Sequence, residues 1–140
     1  MRELHGLQLV APVGVAILWM LLNGVWRDPD ARRRFNAVVV AGAGAAYLSG
    51  GFGLWELAFT TLATAAAYRG LRSWGWVGVA WLLHTAWDLL HHRYGNVILP
   101  FAPTSSLGCA ICDPVLAVWC FAGGPSPALW VRARAARVTA

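Results

Sequence analysis

The chain has 140 residues, enough for one domain and too few for two. Hydrophobic residues make up 59% and charged residues 12%, about half the charged share of an ordinary soluble domain, so the composition argues against a water-soluble globule. The net charge of +5 comes from Arg alone, and these Arg residues separate apolar runs without forming a continuous basic patch, which excludes a nucleic-acid-binding surface.

The first apolar run, Leu7 to Trp26, is as long as a bilayer core requires and lacks the small-residue cleavage site of a signal peptide. It is read as a retained first span over 7–26. The polar break Arg27-Asp28-Pro29-Asp30-Ala31-Arg32-Arg33-Arg34 follows. A second span, 36–49, is rich in Ala and Gly (Ala41, Gly42, Ala43, Gly44), which lets helix backbones approach closely. Gly50-Gly51-Phe52-Gly53 makes a turn into a third span, 54–68, which Arg69 and Arg72 end. The fourth span covers 74–92. A long connection with Pro100, Pro103 and Gly108 leads to Asp113-Pro114, read as an N-cap with proline at the first helical position of a fifth span, 113–131. The whole is expected to be all-α, a single polytopic bundle of about five transmembrane helices over residues 1–140.

Arg placement gives an independent check. With the Arg27–Arg34 loop in the cytoplasm, alternation also puts Arg69, Arg72, Arg132, Arg134 and Arg137 inside and leaves only Arg2 and Arg93 outside. This is the asymmetry that membrane insertion imposes. The expected location is the bacterial plasma membrane, with the N-terminus outside and the C-terminus cytoplasmic. The second and third spans rise only about 22 Å as helix, short of a core near 30 Å. The glycine turn between them is therefore recessed, and protein or water must cover its backbone.

The chemistry concentrates on the fourth span. With about 100° per residue, His84, Asp88, His91 and His92 share a sector of roughly 100°. Ionisable groups on a membrane helix face the bundle or water. The topology brings Glu56, from the first turn of the third span, and Asp113 to the same end. Three readings fit this convergence. In the first, His84, Asp88, His91, His92, Glu56 and Asp113 supply ligands for Zn²⁺, Fe²⁺ or Mn²⁺, with Glu56, His84 and Asp88 as the catalytic core. The metal activates water, as in a hydrolase, on a lipid or isoprenoid-like substrate. In the second, a His and a buried carboxylate act without metal as acid and base, as in an isomerase or cyclase. In the third, the same groups only hydrogen-bond helix to helix in a non-enzymatic transport or partner-binding component. Membrane lipids are the expected partners, and an oligomer is compatible with all three.

Cys109 and Cys112 form a lone C-x-x-C in the outer connection, where a disulfide or a shared ligand is expected. Cys120 reads as a small buried apolar residue. Most of the nine Trp residues read as interfacial anchors or packing, while Trp81 and Trp87 flank the polar stripe.

With these residues in view, LWELAFT (54–60), AYRGLRS (67–73), WLLHTAWDLLHHRYGN (81–96) and PFAPTSSLGCAICDP (100–114) make the chain resemble a family of small bacterial membrane proteins, domain of unknown function 6010. The resemblance runs from about Tyr47 to Gly124 and does not include the first span. It implies identity and brings no activity, substrate or catalytic residues.

Overall fold

The computed structural model describes residues 6–49 and 51–127. Among the described residues there are five α-helices and no strand: α1 (Gly6–Asn23), α2 (Pro29–Gly44), α3 (Leu54–Gly70), α4 (Trp74–Arg93) and α5 (Ser105–Phe121). A 3₁₀ turn, Ala45–Ser49, prolongs α2. The end of the expected fifth span beyond residue 127, Arg2, and the three Arg of the C-terminal segment lie outside the described residues.

Local chemistry explains the helix boundaries. Asp28 caps α2 by accepting the N–H of Asp30 at 2.9 Å, and Pro29 takes the first position, where its missing N–H costs nothing. The helix therefore starts inside the stretch that the sequence marks as a polar break. The two strongest helix stops are glycines in the left-handed region. Gly95 (φ 76°) ends α4, with Asn96 N–H bonded to His91 C=O and Gly95 N–H to His92 C=O. Gly123 (φ 86°) ends α5 in the same two-bond pattern, onto Trp119 and Cys120.

The fifth helix departs from expectation. It begins at Ser105, so Asp113 lies within it and caps nothing, and Pro114 is an interior proline. Ser105 accounts for the earlier start. Its hydroxyl accepts the N–H groups of Ile98 and Leu99 at 3.1 and 3.0 Å, which ties the Pro-containing connection to the first turn of α5. Ser105 to Cys112 then continues one helix with the apolar run that follows.

The helices pack as a bundle in which α4 is central, against α5, α3 and α2, while α1 lies on α5. The main core is built from small residues, with Ala16, Ala37, Ala66, Ala80 and Ala117 around Trp81 and Leu116. Gly78 meets the Phe121 ring so closely that a Cβ there would lie 2.9 Å from it. A second cluster, Tyr47, Phe59, Ala63 and Ile98, covers the other end of α4.

Polar and apolar groups are arranged in an unusual way. Asn23, Asn36, Glu56, His84, Asp88 and His91 are all buried, while Leu18, Leu22, Val38, Leu57, Leu62 and Val118 are more than half exposed. Among the described residues no helix is long and apolar enough to cross a membrane.

Candidate functional site

One stripe of α4 carries Trp81, His84, Asp88 and His91, all buried. The spacing of three, four and three residues keeps the four side chains on one face. Partners reach this face from three directions.

Tyr47, from the 3₁₀ turn, stands between His84 and Asp88. Its hydroxyl donates to Asp88 Oδ1 at 2.5 Å and lies 3.1 Å from His84 Nδ1. A phenol has one proton to give. With that proton on Asp88, the Tyr47 oxygen can only accept, so His84 must carry its hydrogen on Nδ1. The neutral ring then leaves Nε2 as a lone pair without a hydrogen bond of normal length, and the backbone carbonyl of Val40 on α2 faces the ring. The Asp88 carboxyl also faces that of Asp113, from α5.

Glu56, in the first turn of α3, forms a second centre. Its Oε1 accepts the N–H groups of Gly51 and Phe52 at 3.0 and 3.1 Å. The other oxygen accepts the Trp87 indole N–H at 2.8 Å. His91 Nε2 lies 3.1 Å from Oε1. The turn between α2 and α3 is thus pinned to α4 through one carboxylate, and the Phe59 ring stacks on Trp87 at 4.7 Å beneath it. Tyr47 joins the two centres, with its ring 5.4 Å from that of His84 and 5.5 Å from that of His91.

Two adjoining cavities lead to this site. The inner one, about 310 Å³, is lined by Trp81, His84, Tyr47, Asp113, Trp19 and Val39, among others. The outer one, about 450 Å³, lies between α1 and α5 and is lined by Gln8, Ala11, Pro12, Ala102, Thr104 and Gly108, among others. They share a wall of Val15, Leu99, Cys109, Cys112 and Asp113. The walls are apolar except at the mouth, where Gln8, Thr104 and Ser105 gather, and at the inner end, where His84 and Asp113 stand.

The structure therefore brings Glu56, His84, Asp88, His91 and Asp113 to one end of the bundle, and leaves out His92. That residue is exposed, because the helical offset that puts it at the edge of the sector turns it past the α4–α5 contact. The five do not meet at one point. Tyr47 separates His84 from Asp88, and Glu56 is taken up by His91, Trp87 and the turn. Among the described residues no three His, Cys, Asp or Glu side chains group to hold an ion. Cys109 and Cys112 sit elsewhere than expected, as free thiols within α5 and not in the connection, while Cys120 is fully buried in the core as its sequence position implied.

Tyr47 is the main participant that sequence reasoning missed. A tyrosine in an otherwise apolar run must place its hydroxyl on a partner, and that signal was available. A second buried polar network lies at the opposite end. Trp19 N–H bonds Asn36, Asn36 bonds Asn23 at 2.7 Å, and Arg32 donates to the carbonyls of Gly124 and Trp26.

The chain matches the family of unknown function DUF6010 over residues 7–126 and belongs to it. The match takes in α1, which the sequence resemblance left out. No curated protein and no solved structure matches the chain.

Proposed function

We propose that this DUF6010 chain is a multi-pass membrane protein that binds a lipid-like molecule between α1 and α5 and moves a proton on it, with His84 as the base. One observation carries the reading. His84 lines the inner cavity, its Nδ1 is held by Tyr47, which donates to Asp88, and its Nε2 makes no hydrogen bond of normal length, with the backbone carbonyl of Val40 facing the ring.

The membrane part rests on the surface. No single described helix has the length and hydropathy of a span, but large apolar side chains face outward on α1, α2, α3 and α5 while charged and amide groups face inward. That is the pattern of a protein solvated by lipid. At 20 residues, α4 rises about 30 Å, close to the thickness of a hydrocarbon core. The nine Arg on one side and two on the other suit the same orientation.

The cavity supports the substrate class. An apolar channel with a polar mouth fits a chain with a polar group at one end. At the inner end, the Trp81 N–H is buried without a partner and stands one helical turn from His84. For a lipophilic β,γ-unsaturated carbonyl compound, His84 Nε2 takes a proton from the carbon between the carbonyl and the double bond. The electron pair moves to oxygen, where the Trp81 N–H stabilises it. A carboxyl proton from Asp113 goes to the far carbon of the double bond, so the net change is a double-bond shift, and the proton on His84 returns to Asp113 through Tyr47 and Asp88. A metal-dependent reaction draws less support, because the donor groups fall into two separate sets.

The test is to purify the full chain in mild detergent, extract it with solvent and identify bound lipid by mass spectrometry. The protein is then held in D₂O. A stoichiometric lipid is expected, with deuterium entering a carbon position in wild type and not in His84→Gln. Absence of bound lipid, or equal deuterium uptake by the variant, overturns the proposal.

A further inference from the structure

The channel between α1 and α5 says more about its ligand than its apolar walls do. Apart from Asp113 and His84 at the inner end, no acidic or basic side chain of Asp, Glu, His, Lys or Arg lines either cavity. A phosphate or carboxylate head group would meet no cation there, and an unpaired charge in an apolar channel is costly.

The mouth, in contrast, is built from groups with hydrogen-bonding capacity to spare. Pro12 lies inside α1 and has no N–H, so the carbonyl of Gln8, four residues before it, lacks its helical donor. Gln8 and Pro12 stand on the same face of α1, and both line the outer cavity. On the α5 side, Thr104 lines the same cavity, and its hydroxyl does not cap the helix. The Ser105 oxygen is taken up by the N–H groups of Ile98 and Leu99, which leaves its own proton to donate. Acceptor and donors thus meet at one opening. That set is the complement of a hydroxyl group, which gives one hydrogen bond and takes others.

We propose that the ligand of this channel is an uncharged lipid alcohol whose hydroxyl group is held at the mouth by Gln8, Thr104 and Ser105. This deepens the proposed function and rests on it, since the carbonyl end of the same molecule faces His84. The Gln8 carbonyl accepts from the ligand hydroxyl, and Ser105 and Thr104 donate to it. From Thr104 to Asp113 the rise along α5 is roughly 13 Å, so the ligand hydroxyl and carbonyl are about that far apart. Anchoring at the mouth fixes how deeply the molecule enters, and the carbon that gives up its proton stops beside His84.

The test measures equilibrium binding of three radiolabelled long-chain ketones to the full-length protein in mild detergent. The ketones are saturated, so they lack the double bond that the reaction moves. Roughly 13 Å from the carbonyl, they carry a hydroxyl, a methyl ether or a carboxylate. The hydroxy ketone is expected to bind about tenfold more tightly than the ether, and the carboxylate more weakly than either. Pro12→Ala gives the Gln8 carbonyl its helical N–H and favours the helix. It should therefore lower the hydroxyl-over-ether ratio, as should Thr104→Val. His84→Gln, at the other end of the channel, should keep the ratio. Equal affinity for the hydroxy ketone and the ether overturns the alcohol site. So does tight binding of the carboxylate, binding of no probe, or an unchanged ratio in both Pro12→Ala and Thr104→Val. The proposed function is judged apart from it, by deuterium uptake on the extracted lipid. A hydroxyl preference without His84-dependent uptake overturns that function and leaves the alcohol site standing. Uptake without the preference does the reverse.

Discussion

Tyr47 and Asp88 are 41 residues apart in the chain and 2.5 Å apart in the fold. That contact sets the chemistry of a third residue. By accepting the Tyr47 proton, Asp88 turns the phenol oxygen into an acceptor for His84, and the far side of the imidazole becomes the basic side.

Tyr47→Phe removes this control while keeping the ring that packs edge-on against Phe59 at 5.1 Å. Wild-type His84 is expected to hold its hydrogen on Nδ1 alone, and the variant to populate both tautomers. Nitrogen NMR of ¹⁵N-histidine protein, with His84 assigned by His84→Gln, reads this directly. Loss of a hydrogen bond to a buried carboxyl costs about 1–3 kcal/mol in stability. An unchanged His84 spectrum in Tyr47→Phe would show that the phenol does not set the tautomer.

Much of this arrangement was legible in the sequence, and the reasons are physical. Helical periodicity placed His84, Asp88 and His91 on one face, and the cost of burying charge turned that face inward. Glu56 followed from its place in the first turn after the glycines. Periodicity could not settle His92, which sits at the edge of the sector, where a small rotation of α4 decides exposure. Nor could it show that Tyr47 comes between His84 and Asp88, because that depends on how the 3₁₀ end of α2 approaches α4. The start of α5 was misread because Asp113-Pro114 carries a strong local cap signal. Ser105, whose hydroxyl binds two backbone N–H groups of the connection, outweighs it.

Gly78 tests the closeness of α4 and α5. A methyl group there would lie 2.9 Å from the Phe121 ring. Gly78→Ala is therefore expected to destabilise the protein by about 1–3 kcal/mol despite its better helix propensity. Adding Phe121→Leu should recover part of the loss, which a double-mutant cycle of thermal or denaturant midpoints in detergent will read. Strictly additive effects would mean that the two residues do not meet.

The cysteines separate by position. Cys109 and Cys112 line both cavities as free thiols, and Cys120 is fully buried among α5 contacts. A small apolar alkylating reagent should modify Cys109 and Cys112 without prior reduction and leave Cys120 intact in the folded protein. Peptide mass spectrometry gives the site of each adduct. Solvent extraction of a bound lipid should speed the first two reactions and not the third. Alkylation of Cys109 and Cys112 only after a reductant is added would show a disulfide in place of the free thiols.

The orientation of the bundle is open to a direct test, and the site's accessibility depends on it. Arg27, Arg32, Arg33 and Arg34 lie at one end, with Arg69 and Arg72, while the 100–106 connection and the mouth of the outer cavity lie at the other. The charge rule for membrane insertion puts the first end in the cytoplasm. Single cysteines in a background lacking the native three, one replacing Asp30 and one replacing Phe101, should report this with a membrane-impermeant maleimide. Both residues are exposed, so labelling reads the side of the membrane and not burial. Phe101→Cys is expected to label in intact cells, and Asp30→Cys only after the cells are opened. The protein should also stay with the membrane through alkaline carbonate washing, since the proposed function gives its apolar outer surface lipid as solvent. The reverse labelling pattern would invert the bundle and move the cavity mouth to the cytoplasmic leaflet. Release by carbonate would remove the membrane reading altogether, because α1, with Val10, Leu18 and Leu22 exposed, would then need another covering.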